Sequence, residues 1–526
     1  MKLHFFLIAA LCAYPSFVHA QRDTLVERYL YTITQQELQR HLEVLASDAY
    51  EGRETGFKGQ KMAAEYLRKS FASNGIGPVP DWEQRGLLTP GYEQPFGVEL
   101  SEPGSLKLEV DGLRQGFMES YFYFSERADK DLVFSEVVFM GFGENTPERN
   151  DYTNADVRGK VVLVVESKGG RVAKGAAADN DFFAGLTRKI ATATAAGAQM
   201  VLYASPNADA MMTEFGHYLT TSRMTLKDGA KNEGGQQNKT QAIIIDQELA
   251  ERILSQGGIH WKKLSKACQK PGKAIPCALA LRYLPEARQL QAENVLGYVE
   301  GTDLKDQLVI VTAHYDHIGM DGDEVYNGAD DDGSGTVALL EMAQAFAQAR
   351  AEGHGPRRSL LFMPVSGEEK GLLGSEYYSD HPVFPLESTV ADLNIDMIGR
   401  SDSAHMESKP YVYVIGSDRL STDLHLINEE ANKTYVGLEL DYTFNGANDP
   451  NRFYYRSDHY NFARYGVPVI FYFSGVHADY HQPTDEVDRI RFDLLEQRTR
   501  LVFATAWELA NRNERIVVDK PMEKGE

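Results

Sequence analysis

Five short stretches in the second half of the chain carry acids and histidines that could do chemistry together. They are "VTAHYDH" with His314 and Asp316, "NGADDDGSG" with Asp330, Asp331 and Asp332, "VSGEEKGLLGSE" with Glu368 and Glu369, "LNIDMIGR" with Asp396, and "DYHQPTDEV" with His481. Three adjacent aspartates held between glycines repel one another unless water or a cation neutralises them. Imidazole and carboxylate donors in this mix suit Zn²⁺, and a carboxylate placed among them could bridge two ions. A pair of divalent ions about 3.5 to 4 Å apart needs such a bridge and further anionic ligands, and it turns repulsion among aspartates into net attraction. The adjacent glutamates divide the remaining work. At a strand-to-loop transition one side chain turns to metal while its neighbour faces water, so Glu369 is expected as a ligand and Glu368 as a general base.

Each stretch ends an apolar run or sits in a turn beside one, which says what must position it. "NVLGYVEG", "LVIVTAHYDH", "RSLLFMPVSGEE" and "GVPVIFYFSG" read as strands, and "GTVALLEMAQAFAQAR" reads as an amphipathic helix. Strands alternating with helices predict an α/β domain whose mostly parallel or mixed central sheet is flanked by helices. Ligands then collect outside the carboxyl ends of the strands. Helical spacing also runs from Thr34 to Asn74 and stops at Gly75. Between Leu132 and Leu281, "VRGKVVLVVE", "KIATATAAGAQMVLYAS" and "QAIIIDQELAERIL" describe a smaller α/β unit. The organisation expected is a leader over 1–20, an N-terminal part of the catalytic domain over 21–104, an insert over 105–289 and the main catalytic domain over 290–526.

Length and charge narrow the classes. A chain of 526 residues calls for more than one domain, and a formal net charge of -22 argues against nucleic acid, whose phosphates it would repel. Lys2, the short apolar run "FFLIAALCAY" and the small residues of "VHA" read as a secretory leader cleaved after Ala20. The expectation is a secreted or periplasmic protein, with a lipid anchor on Cys12 ranked below because Leu11 is a poor residue ahead of an acylated cysteine. No segment of the mature chain has the apolar length of a membrane helix. Cys268 and Cys277, either side of a Pro-Gly turn in an oxidising compartment, read as a local disulfide.

"HYDH", "GADDDGSG", "SGEEKGLLGS", "NIDMIGR" and "YHQPTD", in this order, resemble the motif series of the co-catalytic di-zinc aminopeptidase family. This is the secreted clan that includes aminopeptidase Y, the bacterial leucine aminopeptidases and, more distantly, glutamate carboxypeptidase and glutaminyl cyclase. "DVRGKVVLV" and "AGAQMVLY" likewise resemble a protease-associated domain inserted in many secreted peptidases, which carries no catalytic residues. The resemblance implies two Zn²⁺ per chain and peptide substrates opened at their amino termini. It puts His314 and Asp396 on one zinc, Glu369 and His481 on the other, and Asp331 between them, followed by Asp332 across a peptide bond that is often cis. It implies that Asp316 orients the His314 ring, that Tyr480 donates to the developing oxyanion, and that Ser457, Asp458 and His459 are structural.

Plainer readings stand beside these. An aspartate-rich turn also suits Ca²⁺, but this one lacks the alternating acids and terminal glutamate of an EF-hand. Asp330 is left to solvent, Arg400 to a nearby acid rather than a substrate carboxylate, and His317, His354, His381, His405 and His425 to surface or packing roles. No G-x-S-x-G elbow supports a serine nucleophile. Glutaminyl cyclisation on the same scaffold needs only one zinc, and a non-catalytic peptide-binding receptor would be free to lose the ligands and the base that this chain retains.

Overall fold

Apolar strands with no polar face need cover on both sides. In the computed structural model, which describes residues 22–124, 131–167, 182–227, 240–284, 286–406 and 409–521, they receive it. The leader read at 1–20 lies outside the described residues. Contacts divide the chain into two units, one made of 1–97 and 291–526, the other of 98–290. The sequence placed the start of the second unit a few residues later, at 105.

The first unit is built on a seven-stranded mixed sheet. Its strands run in the order Gly297–Val299, Arg358–Val365, Leu304–His314, Thr389–Ile395, Val469–Phe473, Tyr411–Ile415 and Glu439–Asp441. The four from Arg358–Val365 to Val469–Phe473 are parallel to one another, so their carboxyl ends lie along one edge. Val365 pairs with His314, and Ile395 with Tyr472. One face of the sheet packs with the helices Gln35–Leu45, Gly335–Ala351 and Phe492–Asn511, whose buried residues join Val309, Val311, Leu393 and Ile470 in one core. The other face is covered by a second cluster that includes Tyr378, Phe462, Phe471 and Phe473.

The helix Gly335–Ala351 departs from its amphipathic reading. It is sandwiched between the sheet and the two other helices, and nearly all of its residues are buried. Glu341 is among them, 1% exposed, with neither carboxyl oxygen hydrogen bonded among the described residues. His41 of helix Gln35–Leu45 faces it, its Nε2 3.5 Å from Oε1.

The second unit holds an eight-stranded sheet whose middle strands, Leu132–Phe139, Val161–Val165, Met200–Ala204 and Gln241–Ile245, are parallel. Cys268 follows the helix Leu264–Ala267, and Cys277 lies on the strand Lys273–Tyr283. Both thiols are buried and free, so the disulfide reading is corrected: both side chains are spent on the apolar core. No helix among the described residues is long and apolar enough to cross a membrane.

Burial lifts Glu341 from the ordinary carboxylate value of 4.5 to about 8, and Glu37 adds to the lift. Burial lowers His41 to about 4. The folded state therefore keeps a proton on Glu341 that the unfolded chain gives up, and stability falls as pH rises from about 4.5 to about 8. For His41 the sign is opposite, with stability lost as pH falls from 6.5 towards about 4. Melting temperature measured across this range should decline on the alkaline side in the wild-type protein, and Glu341→Gln should flatten that decline. An unchanged alkaline slope would show that Glu341 is ionised in the fold.

Candidate metal centre

The parallel register delivers the sequence stations to one place. His314 ends its strand, Glu368 and Glu369 follow Val365 by three and four residues, and Asp396 follows Ile395. His481 arrives from the loop after Val469–Phe473 with φ 56. Asp331 and Asp332, joined by a cis peptide bond, lie in the buried turn that enters helix Gly335–Ala351.

Two donor groups form around Asp331. In the first, His314 Nε2 is 3.1 Å from Asp331 Oδ1 and 3.7 Å from Asp396 Oδ1. In the second, His481 Nε2 is 3.2 Å from Asp331 Oδ2 and 3.2 Å from Glu369 Oε2. One donor atom from each of His314, Asp331 and Asp396 lies within 4.8 Å of the others, and the same holds for His317, Asp331 and Glu369. Asp331 thus offers one oxygen to each side. Glu368 Oε2 stands 3.9 Å from His314 Nε2, beside the first group. The Tyr480 ring stacks on His481 with centroids 3.8 Å apart, and both line a small cavity of about 40 Å³ that also touches Asp331, Glu368 and Asp396. Phe453, Phe471, Phe473 and Val476 give that cavity an apolar wall, and Arg456 a cationic one.

The electrostatics are those of a site built for positive charge. Burial pulls the His314 and His481 rings down, but the carboxylates around them outweigh it, raising His314 well above its ordinary value and His481 to about 10. Burial pushes Asp331 and Glu369 up, yet the facing imidazoles hold Asp331 well below the usual carboxylate range and Glu369 at about 2. Burial lifts Glu368 well above that range; His314 opposes the shift, while Asp396 and Glu369 reinforce it. Divalent cations would supply the charge for which these imidazoles now stand in. A buried carboxylate oxygen with no hydrogen bond, Glu369 Oε1, together with a donor set of imidazole and carboxylate, fits Zn²⁺ at both groups.

Main-chain clamps hold the donors. Asp332 Oδ1 accepts the amides of Gly335 and Met397, the latter next to Asp396. Asp396 Oδ2 accepts the Ser457 hydroxyl at 2.7 Å, and Ser457 accepts from Asn394. Asp316 contributes through two different groups. Its carbonyl lies 3.1 Å from His314 Nδ1, while its carboxylate accepts the Glu368 amide and the Thr55 hydroxyl. The imidazole is therefore oriented by the Asp316 main chain, and the side chain is 3.9 Å away.

Two residues correct their sequence readings. Asp330 is fully buried rather than solvated, because it accepts the Gly399 amide and contacts His477 Nε2 at 3.1 Å. His317 is not on the surface but inside the second donor group. Sequence reasoning also missed Asp485, which accepts the amides of Asp330 and Asp331, and Arg53, a buried guanidinium donating to the carbonyls of Leu45, Tyr315, Asn327 and Gly328. A lone arginine in the turn-rich "EGRETG" gives no periodic signal that could have marked it. Arg400 pairs with Asp479 at 2.7 Å.

Paired donor groups at the carboxyl ends of a mixed sheet define an α/β metal-site protein. Residues 294–506 match Peptidase family M28. It is 28% identical over 232 residues to aminopeptidase YwaD of Bacillus subtilis, covering 43% of this chain and 46% of that one. It is 31% identical over 216 residues to leucine aminopeptidase 1 of Penicillium rubens, covering 39% and 53%. The chain spans about half the length of these curated relatives. In fold it is similar to the aminopeptidase from Aneurinibacillus sp. strain AM-1, with a TM-score of 0.52 and 19% identity over 95% of this chain and 100% of that one.

Asp331→Ala should cost more bound metal, measured by elemental analysis after gel filtration, than Asp396→Ala, since the first change opens both donor groups and the second only one. Equal metal content in the two variants would remove Asp331 from the shared position.

Proposed function

We propose that the protein is a zinc-dependent aminopeptidase, secreted or periplasmic, that hydrolyses the bond after the amino-terminal residue of a peptide. The observation that carries this reading is the pair of donor groups sharing Asp331, with Glu368 placed beside them and bound to neither. Aminopeptidase is the activity named for the relatives above, and the leader over 1–20 supports export.

His314 and Asp396 would hold one ion, Glu369 and His481 the other, and Asp331 both. Zinc there supplies Lewis acidity that polarises the scissile carbonyl and makes water easier to deprotonate. Glu368 takes the proton from the attacking water and delivers it to the leaving amine. Tyr480, at the rim of the same cavity, donates its hydroxyl to the oxygen that gains charge. Phe453, Phe471, Phe473 and Val476 receive the side chain of the first residue and keep water from it. The unit over 98–290 is a protease-associated insert; it contributes none of these donors.

Hydrolysis of aminoacyl-anilides should stop with a chelator and return with Zn²⁺. Glu368→Gln should keep its zinc and lose about 10²- to 10⁴-fold in kcat, the usual contribution of a general base. Undiminished turnover in that variant would remove Glu368 from the proton path.

A further inference from the structure

We propose that His317 is a ligand of the ion held by Asp331 and Glu369, so that the second donor group offers two imidazoles, His317 and His481. This rests on the metal-centre reading above and goes beyond its ligand set.

His317 is fully buried, three residues past His314. Its Nδ1 lies 2.8 Å from Glu369 Oε1 and 3.9 Å from Asp331 Oδ2. Among the described residues neither ring nitrogen has a hydrogen-bond partner, and neither does Glu369 Oε1. Two such atoms 2.8 Å apart without a hydrogen bond are misaligned for one: the ring's N–H axis does not run along the contact. That arrangement suits two donors sharing a third, positive centre better than a donor facing an acceptor. A buried imidazole and a buried carboxylate oxygen that touch without an aligned hydrogen bond each keep part of their desolvation cost, and one cation between them removes both.

The ring is also fixed from outside the group. The His317 amide bonds to the carbonyl of Arg53, and Glu54 forms a parallel bridge with His317. A Cβ at Gly328 would come within 2.5 Å of His317 Cγ and Cδ2, so the loop that leads to Asp331 closes directly over the ring. His481, by contrast, has a side chain 37% exposed and sits edge-on to His317, centroids 5.9 Å apart. Of the two imidazoles, His317 is the one whose position does not depend on a surface loop.

The test uses the full mature protein loaded with Zn²⁺. X-ray absorption at the zinc edge should count three imidazoles over two ions in the wild-type enzyme. Zinc competition against a chromophoric chelator should show the weaker ion of His317→Ala and His317→Gln losing more than about 100-fold in affinity. That exceeds the 10- to 100-fold expected for a lost outer partner. Two imidazoles over two ions in the wild-type protein would overturn the assignment, whatever the variants do, and make His317 a positioning residue for Glu369. Fewer than two zinc ions bound to the wild-type protein would instead overturn the metal-centre reading on which it rests.

Discussion

Asp331, Glu368, Glu369 and Asp396 bring four carboxyl groups against the imidazoles of His314, His317 and His481 in a largely buried site. Two like unit charges 4 Å apart at an effective dielectric near 20 repel by about 4 kcal/mol, so this packing is stable only if positive charge is present among them. Without cations the imidazoles must supply it, and His481 keeps its proton up to about 10 for that reason. Two divalent ions would make ligands of Asp331, Glu369 and Asp396 and release the imidazoles to coordinate as neutral bases. The geometry of the centre matches that exchange: Asp331 has an oxygen on each side, and Glu368 lies beside the first donor group, 3.9 Å from His314 Nε2, without belonging to either group.

Holding so much charge still is a task for main-chain hydrogen bonds, and these come from distant parts of the chain. Asp485 grips the amides of Asp330 and Asp331, Asp332 those of Gly335 and Met397, and Asp330 that of Gly399. Arg53 binds four carbonyls, two of them at Asn327 and Gly328, where the aspartate turn begins. Arg53 and Thr55 lie far ahead of the family segment at 294–506, so the N-terminal helices and their connecting turn are part of the metal centre's scaffold as well as of the hydrophobic core. A rigid outer frame of this kind keeps donors in place before any ion arrives.

Much of this was legible from the chain alone, for a physical reason. Apolar runs ending in His314, Val365 and Ile395 mark parallel strands, and parallel register brings their carboxyl ends together without any further information. What stayed hidden depends on contacts that leave no local pattern. Asp330 resembles a solvated acid until Gly399 and His477 are seen against it. His317 carries no periodicity of its own and is placed by Arg53, Glu54 and Gly328. The nine-residue spacing of Cys268 and Cys277 suggested a disulfide, but spacing along the chain does not set the distance and direction between two side chains, and both thiols are free in the core. The helix Gly335–Ala351 has polar residues enough to suggest an exposed face, yet a third layer of helices covers it.

The central claim is that Asp331 joins two cation sites. Anomalous diffraction at the zinc absorption edge from crystals of the zinc-loaded protein tests it most directly. The account predicts two peaks about 3.5 to 4 Å apart, one against His314 and Asp396, the other against Glu369, with an Asp331 oxygen on each. A single peak, or two peaks of which only one touches Asp331, would contradict it.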